Sequence, residues 1–225
     1  MEKRLGYVFK DKKLLIEALT HRSFYHENPD KTIFHNERLE FLGDSVLGLV
    51  IVEYLFLSEK KFKESEMAKI KSHLVKESVL SDIANSISLG KYLRLGKGEE
   101  ATGGRTKKSI LADAVEALLG AVYLDGSYKK VKSIILRLFK KEIDTLMDSN
   151  RFYDFKTELQ EKTQMLFGVL PEYRVIKQEG KEHDKIFTID VLIEGRRFGR
   201  GSGRSKKEAE TFAAREALLK LSSEK

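Results

Sequence analysis

His35-Asn36-Glu37-Arg38-Leu39-Glu40-Phe41-Leu42-Gly43-Asp44-Ser45 opens an apolar run that continues to Leu57 at helical period. Glu40 and Asp44, spaced i, i+4, share one helix face among core-type residues. A second run, Ser109-Ile110-Leu111-Ala112-Asp113-Ala114-Val115-Glu116-Ala117-Leu118-Leu119-Gly120, carries Asp113 and Glu116 at i, i+3. A buried carboxylate is costly unless it is paired or bound to a metal, and the only side chain inside either run that is a full cation at neutral pH is Arg38. Four converging carboxylates would repel one another, and oxygen-only clusters of this kind suit Mg²⁺ or Mn²⁺. The plainer alternative is a pair of solvated faces making ordinary surface ion pairs. Two such pairs, each in a strongly apolar helix, weigh against it.

With 225 residues and 41% apolar content, the chain can hold one large domain, or a medium domain and a small one. No window reaches the roughly 18 uninterrupted apolar residues of a membrane span, because Glu40, Asp44 and Glu53 break Leu39–Leu57. The opening Met1-Glu2-Lys3-Arg4-Leu5-Gly6 is not an apolar signal segment. The absence of cysteine removes disulfides and thiolate metal sites, which fits a cytoplasmic address. The five histidines are scattered singly, which argues against zinc. A net charge of +7 mildly favours a polyanionic partner. The charge is locally dense at Arg196, Arg197, Arg200, Arg204, Lys206 and Lys207, with no acidic residue between them, and such patches bind phosphates.

Residues 1–147 read as a helical domain: Lys12–Thr20, Glu37–Leu57, Glu66–Leu74, Glu77–Ser86, Ser109–Leu124 and Val131–Met147 show helical spacing, and strand alternation is absent. Breaks fall at His26–Ile33 and in the glycine-rich Gly96–Gly104. That glycine loop is not a nucleotide cradle. It carries Glu99 and Glu100 and lacks the Gly-Lys-Ser/Thr ending, so no nucleotide cofactor is expected. Residues 148–152, beginning Asp148-Ser149-Asn150, read as a linker.

Residues 153–225 then change pattern. A helix over Asp154–Phe167 is followed by Pro171, an extended run with Tyr173 and Val175 on one face, strict alternation of Phe187, Ile189, Val191 and Ile193, a third strand Arg196–Gly201 and a final helix from about Ser205. The order α-β-β-β-α places helices on one face of an antiparallel sheet. Ser205 and Glu208 have capping-box spacing, while Lys206 and Lys207 oppose the helix dipole, as they would if a bound anion supplied the negative charge. Gly201 and Gly203 would let backbone approach a phosphate.

Asp154 to Glu161, Pro171-Glu172-Tyr173, Gly180 to Phe187 and Gly201 to Glu210 together resemble a double-stranded RNA-binding domain. The resemblance implies that Thr157, Gln160, Glu161 and Gln164 face one minor groove, that His183 enters the next, and that Arg204, Ser205, Lys206 and Lys207 clamp phosphates across the major groove. The chain departs from the family in carrying Lys181 and Glu182 where proline often follows the loop glycine.

The stretch Asn36 to Ser45 is similar, residue for residue, to the signature of the ribonuclease III family. Ser109 to Gly120 resembles that family's second acidic segment, and Leu5-Gly6-Tyr7 with Ala18 to Ser23 its opening. The implied fold is an all-helical endonuclease domain followed by the RNA-binding domain. The implied activity is Mg²⁺-dependent hydrolysis of double-stranded RNA, to staggered ends with 5′ phosphate and 3′ hydroxyl, with Mn²⁺ able to substitute. It includes processing of ribosomal RNA precursors and structured messenger RNAs. By the same resemblance Glu40, Asp44, Asp113 and Glu116 hold the metal, with Asp44 and Glu116 catalytic. Glu37 and Glu64 are accessory acids, and Phe41 inserts into a partner subunit of a homodimer. Arg105, Lys107 and Lys108 either touch the RNA backbone or belong to a solvated loop. Two other readings compete. An RNA-binding protein whose helical part only dimerises would not need the four carboxylates, and a hydrolase of small phosphorylated molecules would not need the α-β-β-β-α module.

Overall fold

Two helices with almost no polar residues on their inner faces organise the first half of the chain. In the computed structural model, which describes residues 1–28, 34–149, 154–180 and 184–223, the chain divides into compact units of residues 1–152 and 153–225. The first contains α1 (Glu2–Leu5), α2 (Lys12–Ala18), α3 (Arg22–Glu27), α4 (Glu37–Phe56), α5 (Glu64–Leu74), α6 (Glu77–Ser86), α7 (Lys97–Ala101), α8 (Lys108–Asp125), α9 (Tyr128–Leu138) and α10 (Lys140–Ser149). Among the described residues its one extended pairing is an isolated bridge between Thr20 and Arg94.

The packing of α4 on α8 dominates this unit. Along α8 Ile110, Leu111, Ala114, Val115, Leu118, Leu119 and Val122 are buried, and Leu39, Leu47, Val50 and Ile51 answer from α4. A Cβ added to Gly43 would lie 1.8 Å from the backbone oxygen of Glu116, and one added to Gly120 would lie 2.3 Å from that of Leu39. The helices therefore touch backbone to backbone, closer than side chains normally allow. No described helix is long and apolar enough to cross a membrane.

The structure departs from the sequence reading here, and one departure is that α10 runs through Ser149, so the first two residues of the expected 148–152 linker are helical. Val131–Met147 is not one helix: it breaks at the fully buried Phe139, and α9 begins earlier, capped by Ser127. The apolar period runs straight through because Phe139 is itself core, so spacing could not mark the break. The glycine loop holds α7 and a 3₁₀ turn at Gly104–Thr106. The Glu27 carboxylate accepts from Lys97 N at 2.8 Å and Ser23 Oγ accepts from Gly96 N at 2.9 Å, which clamps the loop to α3.

The second unit contains α11 (Phe155–Phe167), β1 (Glu172–Glu179), β2 (Ile186–Ile193), β3 (Arg196–Gly203) and α12 (Lys206–Ser223). Asp154 caps α11, accepting from Thr157 N at 3.2 Å. The strands form an antiparallel sheet in the order β1-β2-β3, with Val175 opposite Ile189 and Val191 opposite Gly199. Leu159, Val191, Ile193, Ala213, Ala214, Ala217, Leu218 and Leu221 form its core. Because α12 lies over β2 and β3, β1 is left largely uncovered, and Tyr173 is half-buried while Val175 is exposed. The register places both on one face of β1, Tyr173 opposite Val191 and Val175 opposite Ile189, as expected, but that face is covered only at the Tyr173 end.

A Cβ on Gly199 would meet Ala213 O at 2.3 Å, and one on Gly201 would meet Ala209 O at 2.2 Å. Gly201 is buried and serves close helix–sheet packing, and an added Cβ at Gly203 would likewise meet Glu208 and Ala209, so both glycines are required by packing. Arg200 also leaves the basic patch. Its Nε and Nη2 lie 2.6 and 2.8 Å from the two carboxylate oxygens of Asp190, itself only 7% exposed. This guanidinium holds the Asp190 carboxyl below the usual carboxylate range. The stabilisation is present above the unfolded value and is lost as pH falls through the lower folded one. Asp190→Asn should cost about 1–2 kcal/mol at neutral pH. The difference from wild type should close below pH ~3.9, read as the melting of this unit at a series of pH values.

Candidate active site

Contact between α4 and α8 at Gly43 and Gly120 sets Glu40 and Asp44 of one helix beside Asp113 and Glu116 of the other. Asp44 is exposed and the other three are half-buried. Glu116 is pushed up to about 8, first by burial and then by the charges of Asp44, Glu40 and Asp113. Burial also raises Glu40, with Asp113 and Glu37 adding to it. Burial raises Asp113 too, with Glu77, at the start of α6, as its strongest like charge. Members of both sequence pairs therefore act on one another through space. Glu37 belongs to this field and lines the cleft, whereas Glu64 opens α5, is exposed, and is not among the charges acting most strongly on Glu40, Asp113 or Glu116.

A cleft of about 560 Å³ opens beside the first turn of α4, lined by His21, Arg22, Asn36, Glu37, Glu40, Phe41, Glu99, Lys107 and Asp113 among others. Asp44 and Glu116 lie one turn further along their helices. Arg38, the full cation inside the first acidic run, is exposed and does not line the cleft. The cation nearest in effect is Arg22, whose charge opposes the rise in both Glu40 and Asp113. Local sequence did not single out Arg22, because α3 is brought to the cleft only by the tertiary fold. His21 caps α3, its Nδ1 accepting from Ser23 N at 3.2 Å, and burial holds it below the usual imidazole range. Arg105 is committed elsewhere, to Glu100 at 2.5 and 2.6 Å and to the carbonyls of Gly90 and Leu93. Lys107 lies 2.5 Å from Glu99, and Lys108 is exposed at the start of α8.

Among the described residues no three carboxylates or imidazoles form a ready-made cation cage. The donor set nonetheless fits a hard dication. It is entirely oxygen, burial and neighbouring carboxylates raise Glu40, Asp113 and Glu116, and Mg²⁺ usually takes only one or two protein carboxylates and completes its shell with water and substrate phosphate.

On the second unit Thr157, Gln160, Glu161 and Gln164 are all exposed on one face of α11, opposite the buried Leu159 and Thr163. Arg204, Ser205, Lys206 and Lys207 are exposed where α12 begins. Ser205 Oγ accepts from Glu208 N at 3.2 Å, but the Glu208 carboxylate reaches Arg204 N, so the capping box is not reciprocal. Arg196 and Arg197 sit at the other end of β3, about 25 Å away by strand rise, so the basic run is two separate patches. His183 lies outside the described residues.

Comparison with known proteins bears on both units. A family model described as Ribonuclease-III-like matches residues 11–143, and one described as Double-stranded RNA binding motif matches residues 155–221. Ribonuclease 3 of Natranaerobius thermophilus is 49% identical over 222 residues, covering 99% of this chain and 95% of the relative. Ribonuclease 3 of Caldanaerobacter subterraneus is 48% identical, covering 98% and 96%. The solved nuclease domain of ribonuclease III from Campylobacter jejuni, from work on flexibility in the region involved in dimer formation, is 48% identical with a TM-score of 0.57. That match covers 62% of this chain and 94% of the domain. The chain therefore belongs to the ribonuclease III family of endoribonucleases and carries a double-stranded RNA-binding motif as its second unit.

Proposed function

We propose that this protein cuts both strands of duplex RNA by Mg²⁺-dependent hydrolysis, Mn²⁺ being able to substitute. The products are staggered ends with 5′ phosphate and 3′ hydroxyl. The observation that carries this reading is the mutual elevation of carboxylates from α4 and α8, strongest at Glu116. Glu40, Asp44, Asp113 and Glu116 would hold the ion, with Asp44 and Glu116 closest to the chemistry and Glu37 and Glu64 in the surrounding acidic field. Once bound, the ion supplies an activated water and stabilises charge on the phosphate and the leaving 3′ oxygen. The side chains keep that charge at the contact between helices and need no histidine base.

Thr157, Gln160, Glu161, Gln164 and His183 read minor grooves, while Arg204, Ser205, Lys206 and Lys207 take phosphates. Replacing Lys206 and Lys207 together with alanine should weaken duplex binding and reduce its salt slope by roughly one unit per lost contact, measured by titration at several salt concentrations. Phe41, Leu49, Val52 and Phe56 form a helix-period apolar stripe on α4, exposed by 80%, 56%, 38% and 73%. Such a stripe supports a two-fold homodimer with one active site per strand. The natural substrates on this reading are ribosomal RNA precursors and structured messenger RNAs in the cytoplasm.

Incubation of a long RNA duplex with the protein, in Mg²⁺ or in chelator, tests the reading. Cutting in Mg²⁺ and binding without cutting in chelator is the expected result. A duplex that is shifted in a gel but left intact in both would overturn it.

A further inference from the structure

An RNA strand entering the acidic cleft meets like charge, because Glu37, Glu40 and Asp113 all line it. Arg22 lines the same cleft. The cations around it differ in what they have left to offer. The guanidinium of Arg94 sits 4.3 Å over the Phe24 ring and donates to Thr20. Arg105 is spent on Glu100 and two carbonyls, and Lys107 is held by Glu99 and by Thr102 at 3.1 Å. Arg22 makes one long contact, Nη1 to Glu37 at 3.4 Å, with two-thirds of its side chain exposed. That single long contact leaves most of its five N–H donors uncommitted, and their fork matches phosphate.

We propose that Arg22 is the phosphate ligand of the cleft, leaving Glu37 to grip a non-bridging phosphate oxygen of the RNA strand as it comes over the carboxylates. The exchange is favourable because the exposed Arg22–Glu37 pair is worth little, whereas a charge-assisted or bidentate contact to phosphate is strong. Arg22 is also the positive charge that opposes the carboxylates of both acidic helices, so a phosphate held there lies beside members of each pair. This inference rests on the RNA-cleaving reading.

The test is cleavage of a short RNA duplex in Mg²⁺ by wild type, Arg22→Gln and Arg22→Lys, with kcat and KM measured over a range of salt and melting temperature beside them. Arg22→Gln should raise KM roughly tenfold, lower the salt slope of KM by about one, and melt with wild type. Arg22→Lys should restore the slope and recover only part of KM, because an ammonium lacks the fork. If Arg22→Gln keeps the wild-type KM and slope, or loses kcat alone together with melting temperature, the role is structural or nil and the proposal falls while the enzyme reading stands. Wild type that leaves the duplex uncut overturns the enzyme reading and this proposal with it.

Discussion

Glu116→Gln should lower cleavage of an RNA duplex by on the order of 10³-fold, while a gel shift in chelator shows duplex binding unchanged. Glutamine keeps the volume of glutamate and removes its charge, so the packing of α8 on α4 is retained. What disappears is the carboxylate on which Asp44, Glu40 and Asp113 all act. Because burial and like charge raise Glu116 to about 8, holding it in the fold at neutral pH costs free energy that glutamine does not, so the variant should melt above wild type in chelator. In Mg²⁺ the order should reverse, since wild type gains the free energy of holding the ion and the variant does not. A simple loss of fold would lower melting temperature under both conditions, so calorimetry with and without Mg²⁺ separates the two explanations. Retained cutting by Glu116→Gln would remove this residue from the ligand set.

Gly43→Ala should be the most damaging single methyl that can be added to the first unit. The new Cβ would stand 1.8 Å from the Glu116 carbonyl oxygen, a backbone atom that cannot rotate aside. The two helices must separate, at a cost of about 3 kcal/mol, and a unit of this size then melts roughly 10 °C lower. Cleavage should fall steeply even at temperatures where the variant is folded, because Glu40 and Asp44 move away from Asp113 and Glu116 together. Binding through the second unit should persist. A variant that melts normally and cuts normally would mean that the helices adjust without moving the carboxylates.

The acidic constellation was legible because its logic is local. Pairs at i, i+4 and i, i+3 in apolar helices state both their face and their cost without knowledge of the fold. The same holds for the α-β-β-β-α order, which alternation and turn residues announce. What stayed hidden depended on partners distant in sequence. Arg22 and Glu77 reach the acidic field from α3 and α6, and nothing beside either residue marks it. Arg200 looked like one of six free cations until Asp190, ten residues earlier on a neighbouring strand, was seen to occupy it. Gly201 looked like a phosphate approach because glycine before a helix allows one. Only the register of β3 shows that Ala209 and Ala213 fill the space. The helix break at Phe139 was hidden because a buried aromatic continues the apolar rhythm.

The glycines of β3 also act as a keyway for α12. Gly199 and Gly201 admit Ala209, Ala213 and Ala217 so closely that the helix cannot turn about its own axis without driving a larger side chain into the sheet. Each residue of rotation would swing the helix by ~100°. The bearing on which Lys206 and Lys207 leave the protein is therefore indexed by three alanines that no nucleic acid need ever touch. An exchange of Ala213 for a bulkier residue would re-aim a charged grip from within the hydrophobic core, altering recognition at a position that a map of surface contacts would pass over.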